Sequence, residues 1–266
     1  MALIKQEDEV REGSEILLHL DKRRNYLVRV ERERKLHTHK GYVNLSSLIG
    51  LRYGSKIKSS IGVEFVVLQP TLWDYVLKVA RRTQVMYPKD IAIMIFKLGL
   101  RPGMKVVEAG TGSGALTCAL AFFVKPGIVY SYEINPSFQE VARKNLERAG
   151  LLDYVSLKLK DITQGIDEED IDAVVLDMAT PWLVVPHAYK ALKGGGHFAC
   201  FSPTINQVEK TFTELKRHGF IDIRVYELLL REIKVEEGAI RPEMRMIGHT
   251  GYIMFARKSL GKEVNE

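Results

Sequence analysis

An α/β fold, with a mostly parallel sheet following a small β-rich unit, is predicted by three observations. From Lys105 onward, short β-branched runs alternate with helical patterns, as they do when strands are joined by covering helices. Gly110, Gly112 and Gly114 punctuate the first strand–helix junction, in VVEAGTGSGALTCALAFFVKPGIVYSYE, Val106–Glu133. Up to about residue 75 the chain instead reads as short apolar alternations separated by turn signals.

The chain has 266 residues, room for one large domain and a small one. The expected division is 1–75, a β-rich unit, and 76–266, the larger α/β unit. At 46% hydrophobic and 27% charged residues the composition is that of a globular protein. No apolar run reaches the ~18–20 residues of a membrane span. MALIKQEDEVREG is acidic and mixed, unlike a secretory signal, so a cytoplasmic protein is expected. Cys118 and Cys200 sit in apolar segments without C-x-x-C spacing, which reads as buried reduced thiols and no metal. The net charge of +6 is compatible with an anionic partner such as RNA, though many basic proteins bind none.

In the first unit, Ile16–Leu20 and Asn25–Val30 flank the charged turn Asp21–Arg24. Lys40–Gly41 and Arg52–Gly54 add turns, and Ile61–Leu68 reads as a strand. Lys22, Arg23, Arg24, Arg29, Arg32, Arg34, Lys35 and Lys40 cluster here. Residues 1–75 hold 13 Lys/Arg against 10 Asp/Glu, so an RNA contact and a merely solvated face are equal readings. Thr71–Ala80 is expected to be a linking helix. Arg81–Asp90 should cross near the mouth of the sheet with Met86 and Tyr87, and Pro88 opens a helix over Lys89–Leu100. Lys105–Ala109 is a buried parallel strand, Ala115–Val124 an apolar helix, and the next strand ends at Glu133. Pro136–Ala149 is an amphipathic helix stopped by Gly150. Val155–Asp161 and Ala173–Asp177 are strands. Val185–Leu192 is a helix, Gly194–Gly196 a turn into strand His197–Ser202, and Thr204–His218 a helix stopped by Gly219. Ile223–Val235 and Gly251–Arg257 read as a long antiparallel pair at the edge, giving seven strands.

The glycine junction implies a nucleotide-like ligand. Glycine permits positive φ and close approach of a ligand to the backbone, and the helix behind it offers free N–H groups. Gly110, Gly112, Ser113, Gly114 and Ala115 would form that loop. GTGSGA also satisfies the loose dinucleotide pattern, so the carboxylates decide. Glu108, two residues before the first glycine, would point into the mouth, suiting a cationic amino-acid moiety and repelling a pyrophosphate. Glu133, 25 residues on, ends the next strand, where an acid can hold both ribose hydroxyls. These features point to S-adenosylmethionine (SAM) over a nicotinamide cofactor or a ligand-free turn. Asp161 and Ile162 end another strand; Asp161 would bond an adenine amine or serve as a helix cap.

The carboxylate of Asp177 opens DMATP, Asp177–Pro181. Methyltransferases acting on exocyclic amines show Asp/Asn-Pro-Pro-aromatic here; the missing Pro-Pro favours a ring nitrogen or another acceptor. Adenine N1 carries a lone pair near neutral pH and needs alignment and electrostatics rather than a base. Asp177 would accept from the adenine amino group and stabilise the positive charge developing on the ring, or it would be a plain strand-end cap. The buried cysteines argue against thiolate chemistry. A base taken from its stack needs aromatic partners, and Tyr87, Trp182 and Phe201 are the candidates.

With these residues in place, the sequence resembles the TrmI family of tRNA (adenine-N1)-methyltransferases. The matching stretches are TQVMYPKDIA (83–92), EAGTGSGALT (108–117), YE (132–133), KDI (160–162), LDMATPW (176–182), FSPTINQVEKT (201–211) and HTGYIMFARK (249–258). The resemblance implies a Rossmann-like class I SAM-dependent fold with a seven-stranded sheet. It implies SAM on Ser113, Gly114 and Ala115 with Glu133 on the ribose. Phe138, Asp161 and Ile162 would lie by the adenine and Met86 would be a further contact, with Asp177 catalytic and Tyr87 and Phe201 in the base pocket. It implies tRNA as partner, methylated at adenine 58 of the T-loop and in archaeal relatives also 57, and a homotetramer. Ala179 stands where relatives usually carry proline, which frees an N–H and loosens the turn. Phe201 replaces a tyrosine. The other readings are a protein isoaspartyl or small-molecule methyltransferase, and a non-catalytic RNA-binding subunit.

Overall fold

The computed structural model describes residues 8–78 and 86–261. The end of the expected helix at 79–80 and residues 81–85 of the following segment lie outside the described residues.

The first unit is built on two antiparallel hairpins and a third strand pair. Strands β1 (Glu15–Asp21) and β2 (Arg24–Arg29) turn through Asp21, whose carboxylate takes the Arg23 and Arg24 N–H groups and the Arg24 guanidinium. Strands β3 (Lys35–Thr38) and β4 (Gly41–Asn44) pair separately. Strands β5 (Lys56–Lys58) and β6 (Glu64–Leu68) complete a four-stranded sheet of order β2-β1-β6-β5. Ile16, Leu18, Phe65 and Val67 fill its buried face with Val10, Val30, Val43, Leu45 and Leu48. The strand expected from Ile61 begins only at Glu64. Residues 59–62 close a turn instead, the Ser59 N–H donating to Val63 and the Gly62 N–H to Ser59, with Gly62 at φ 80°.

Two helices, α1 (Leu72–Lys78) and α2 (Pro88–Lys97), lead into the large sheet. Its first half is β7 (Lys105–Ala109), α3 (Ala115–Val124), β8 (Ile128–Glu133), α4 (Pro136–Ala149) and β9 (Val155–Leu159). The second half is β10 (Ile171–Leu176), α5 (Val185–Ala191), β11 (Leu192–Ser202), α6 (Ile205–Arg217), β12 (Phe220–Glu227) and β15 (Tyr252–Lys258). The short pair β13 (Ile233–Lys234) and β14 (Arg241–Pro242) stands apart from it. The sheet has seven strands in the order β12-β15-β11-β10-β7-β8-β9. Only β15 runs against its neighbours, inserted between β11 and β12.

Two boundaries differ from expectation. The edge strand runs Phe220–Glu227 rather than Ile223–Val235, because β15 offers partners only from Tyr252 to Lys258; beyond Glu227 the chain leaves this sheet, and Ile233–Lys234 pair with β14 instead. The glycines 194–196 lie inside β11, not in a turn before it: Leu192 pairs with Ile171 and His197 with Ala173, so Lys193–Gly196 bulge opposite Asp172 alone.

Strand alternation divides the core between two helical layers. Val106 and Val175 face α1–α4 with Met94, Leu116 and Leu120, while Val107, Ala109, Val174 and Leu176 face α5 and α6 with Val185, Ala188 and Leu215. The chain proceeds outward from β7 through β8 to β9, then returns to place β10 on the other side of β7. That reversal is the topological switch point, where connections leave in opposite directions and a crevice opens at the carboxyl ends of the strands.

Candidate active site

The crevice begins where β7 and β10 end side by side. Ala109 and Leu176 are register partners, and the Asp177 N–H donates to the Ala109 carbonyl at 2.8 Å. Gly110 follows at φ 90°, and a Cβ there would lie 1.9 Å from the Asp177 carbonyl oxygen. The turn therefore demands glycine twice over, for its backbone conformation and for the neighbouring main chain. Gly114 opens α3 at φ 79°, and its Cβ would meet Ala142 of α4 at 3.1 Å. Asn145 of α4 donates to the Ser113 carbonyl at 2.9 Å, and Thr111 bonds Ser131 at 2.6 Å, so the loop is clamped from β8 and α4.

Glu133 collars this loop. Its Oε2 accepts from the Gly112 N–H and its Oε1 from the Ile134 and Asn135 N–H groups, each at 2.9 Å. A carboxylate offers about four lone-pair sites, so with three filled, Oε2 can still accept from one hydroxyl. Phe138, half-buried, is one turn into α4, whose cap Asn135 takes the Ser137 N–H at 2.9 Å. Across the crevice, Asp161 Oδ1 takes the N–H and hydroxyl of Thr163 at 2.9 and 2.7 Å, which holds its carboxyl below the ordinary range. The cap uses Oδ1 alone, so a ligand contact could use Oδ2, and Ile162 is buried beside it.

Glu108 departs from expectation. Its side chain has no exposed surface and does not open into the mouth; it lies under α3, accepting from Ser131 at 2.6 Å. Burial pushes its carboxyl up to about 7, against the pull of the Ser131 and Thr117 hydroxyls, so it is not a full negative charge near neutrality.

Beyond Asp177 lies a cavity of about 690 Å³, lined by Met86, Tyr87, Asp177, Met178, Ala179, Phe201, Pro203, Gln207, Ile247, His249 and Thr250. That volume is within the roughly 300–1,000 Å³ usual for small-ligand sites. Burial alone pushes the Asp177 carboxyl up to about 6. Tyr87 and Phe201 are thus brought to Asp177. Trp182 is not among the lining residues; its ring lies under the Lys210 ammonium, 4.8 Å from the centroid.

Three features of this wall escaped the sequence reading. Gln207 accepts from the Thr204 N–H and donates to the Ala179 carbonyl at 2.9 Å, which pins the turn that lacks the usual proline. Lys89 donates to buried Asp90 and to Thr250, both at 2.7 Å, and Thr250 donates back to Asp90 at 2.9 Å, tying α2 to the approach to β15. His249 faces Glu227 Oε1 from Nδ1 at 2.5 Å and the Pro203 carbonyl from Nε2 at 3.1 Å. A carboxylate and a carbonyl both accept, so the protonated ring satisfies both, and Glu227 holds the His249 pKa above the ordinary range. Gly251 has a packing reason: a Cβ there would sit 2.4 Å from the Phe201 ring. YPKD and HTGY stood out only within the family pattern, because Lys89 and Thr250 are 161 residues apart.

Known proteins share this construction. The family model described as "tRNA methyltransferase complex GCD14 subunit" matches residues 63–241. The tRNA (adenine(57)-N(1)/adenine(58)-N(1))-methyltransferase TrmI of Methanocaldococcus jannaschii is 40% identical over 261 residues, covering 88% of this chain and 91% of its own. The tRNA (adenine(58)-N(1))-methyltransferase TrmI of Thermus thermophilus is 35% identical over 245 residues, covering 91% and 96%. Among solved structures, the TrmI tRNA (m1A58) methyltransferase of Aquifex aeolicus superposes at TM-score 0.82 with 32% identity over 94% of this chain and 98% of its own. One described as a SAM-dependent O-methyltransferase, from Thermotoga maritima, superposes at 0.90 with 38% identity over 96% and 97%. The large sheet is the Rossmann-like fold of SAM-dependent methyltransferases, and with two-thirds of its length inside the family model, the chain belongs to the GCD14 family of tRNA methyltransferases, with the TrmI enzymes among its relatives.

Proposed function

We propose that the protein is a SAM-dependent tRNA methyltransferase that forms N1-methyladenine in the T-loop, at position 58 and also at 57, the pair named for the Methanocaldococcus relative. The observation that carries the proposal is the place of Asp177: a desolvated carboxylate between a glycine cradle and a cavity with two aromatic walls. SAM fits the cradle, where Gly110 leaves no room for a Cβ and the loop amides sit beside Glu133. Gly112, Ser113, Gly114 and Ala115 would hold it with Glu133 at the ribose and Phe138, Asp161 and Ile162 at the adenine, while Met86 reaches in from the segment before α2. When bound, it supplies a methyl group on a sulfonium, open to direct displacement by a nitrogen lone pair.

The chain's own residues do the rest. N1 of a paired adenine faces its partner, so the base must leave its stack, and Tyr87 and Phe201 offer faces to receive it. Asp177 accepts from the adenine amino group, which fixes N1 toward the donor and places a negative charge beside the ring as it becomes cationic. The Gln207 bond to Ala179 holds that aspartate's turn in register. Trp182, covered by Lys210, takes no part in this proposal.

The division into a β-rich 1–75 and a methyltransferase unit 76–266 belongs to the same proposal. RNA contact by the first part must use the cations that carboxylates leave over, since Asp21, Glu12 and Glu31 engage Arg24, Arg32 and Arg34, and Glu232 of the larger unit engages Lys22. A homotetramer would cover Trp73 and Phe96, apolar side chains left in water by the single chain; light scattering tests it. The buried thiols suit the reducing cytoplasm.

A carboxyl near 6 would also suit a general base for a hydroxyl acceptor, the reaction class named for the Thermotoga structure. Mapping methylated nucleosides by mass spectrometry, after incubation with unmodified tRNA and SAM, decides. N1-methyladenine at 58 is expected; methyl on a ribose hydroxyl alone overturns the proposal.

A further inference from the structure

The sheet edge opposite the crevice carries an uncommitted basic pocket. A cavity of about 250 Å³ opens there, lined by Arg101, Met104, Asp172, Lys193, Gly194–Gly196, His197 and Arg257. It belongs to the amino ends of β10 and β11. Asp177 is four residues along β10 from Ala173, hence roughly 13 Å away at ~3.3 Å per residue.

Its charges are lopsided. Asp172, the one acid in the lining, is already engaged: Lys193 donates to it at 2.8 Å and the Lys105 N–H at 2.8 Å. Asp222, just beyond, holds Arg224 at 2.7 Å, and Lys97 donates to the Tyr226 hydroxyl at 2.8 Å. Arg101 and Arg257 make no carboxylate contact at salt-bridge distance among the described residues, although Asp172 feels the charge of Arg101 and Asp222 that of Arg257. Arg257 reaches only the Gly195 carbonyl, at 3.4 and 3.3 Å, and Arg101 only the Gly99 carbonyl, at 3.5 Å. Burial, helped by the nearby charges of Arg257 and Arg101, holds the pKa of the half-buried His197 ring below the ordinary range.

The backbone adds donors. Lys193–Gly196 bulge out of register, opposite Asp172 on β10 and ahead of the first β15 pair at His197–Arg257. They have no register partner in either ladder; Gly194 and Gly195 are exposed, Gly196 is buried, and Leu260 packs 2.6 Å from where a Gly194 Cβ would be. Gly195 stands at φ 73°, the left-handed backbone found where main-chain amides turn toward a phosphate. Guanidinium forks match a phosphate's oxygens in pairs.

We propose that Arg101, Arg257, His197 and the Lys193–Gly196 bulge form a phosphate-binding site distinct from the methyl-transfer crevice. Its ligand chemistry is a phosphate group, carried either on the RNA backbone or on a free small molecule; the RNA source alone rests on the function proposed above. A backbone phosphate here would belong to a part of the tRNA that runs behind the sheet.

The test uses the full-length protein and Arg101→Gln/Arg257→Gln, neither residue lying in the crevice. Inorganic phosphate, titrated at constant ionic strength, is expected to shift the His197 imidazole resonances saturably in the parent and not in the double variant, with thermal midpoints unchanged. Unmodified tRNA supplies the second arm. If the source is RNA, the double variant lowers the slope of log affinity against log salt by about 1–2, at unchanged kcat. If the source is a free phosphate, tRNA affinity and its salt slope stay at parental values while the phosphate titration is lost. The proposal is overturned if neither inorganic phosphate nor tRNA moves the His197 resonances, or if both move them equally in parent and double variant. SAM binding by calorimetry, run alongside, reports separately on the methyltransferase reading.

Discussion

The N-terminal sheet and the large sheet use the same residue types for opposite ends. In the first, Gly50, Gly54 and Gly62 adopt positive φ with nothing within 4 Å of where a Cβ would be; they serve the turn and nothing else. In the second, Gly110 and Gly114 adopt the same backbone with Asp177 and Ala142 pressed against them. The acids differ likewise. Asp21 faces water with Arg24 on it, and that partner lowers its carboxyl to about 2. Asp177 and Glu108 are pushed up, to about 6 and about 7, because burial has removed water without supplying a cation. A turn such as Asp21–Arg24 satisfies its polar groups locally. A region that binds and turns over a ligand holds them ready at a cost in stability, which is why the perturbed carboxyls gather at one sheet end.

The largest effect that would break this contrast is at Asp177. Asp177→Asn is expected to keep SAM affinity and lose about 10²–10³-fold in kcat, the usual scale for one preorganised electrostatic contact. Its folded value lies above the ordinary 3.8, so the stability it contributes is present below that pH and lost as pH rises through about 6. Asp177→Asn should therefore be more stable than the parent at pH 8 by about 2–3 kcal/mol, and equal to it near pH 3. Denaturant melts at the two pH values check the sign, and a variant less stable at pH 8 would contradict the desolvation account. Parental kcat should fall as pH drops below about 6, from loss of the ionised carboxylate.

The glycines give the next test. Gly110→Ala is expected to abolish measurable SAM binding by calorimetry, since its Cβ would lie 1.9 Å from the Asp177 carbonyl. Gly54→Ala, in open space, should cost only the left-handed backbone penalty of about 1–2 kcal/mol and leave SAM binding alone. Equal losses at the two positions would erase the distinction.

The smallest expected effect concerns the join between the regions. Glu15 of β1, 2% exposed, takes both Nε and Nη2 of Arg148 from α4, at 3.2 and 3.0 Å. Glu15→Gln should destabilise the protein by about 1–3 kcal/mol, because a half-exposed guanidinium loses its charged partner. Calorimetry shows whether the two sheets still melt in one transition. Two resolved transitions in the variant, against one in the parent, would identify this pair as the coupling.

What the sequence determined by itself was local and periodic. Runs such as VVEA and AVVL are short, rich in β-branched residues and followed by turn signals, which marks them as interior strands. Gly150 and Pro136 bracket α4 by backbone chemistry alone, and the glycine spacing before α3 marked the cradle. Only the tertiary structure decided what depends on residues far apart. The edge strand stopped at Glu227 because β15 ran out of partners there, not because its own sequence weakened. Glu108 became a buried, half-neutral acid because α3 covers it. Trp182 left the pocket for Lys210, while Gln207, His249 and Thr250 entered it, since each is aimed by a partner on another element. Propensity and period act over a few residues, whereas desolvation and register are set by whatever strand or helix happens to pack alongside.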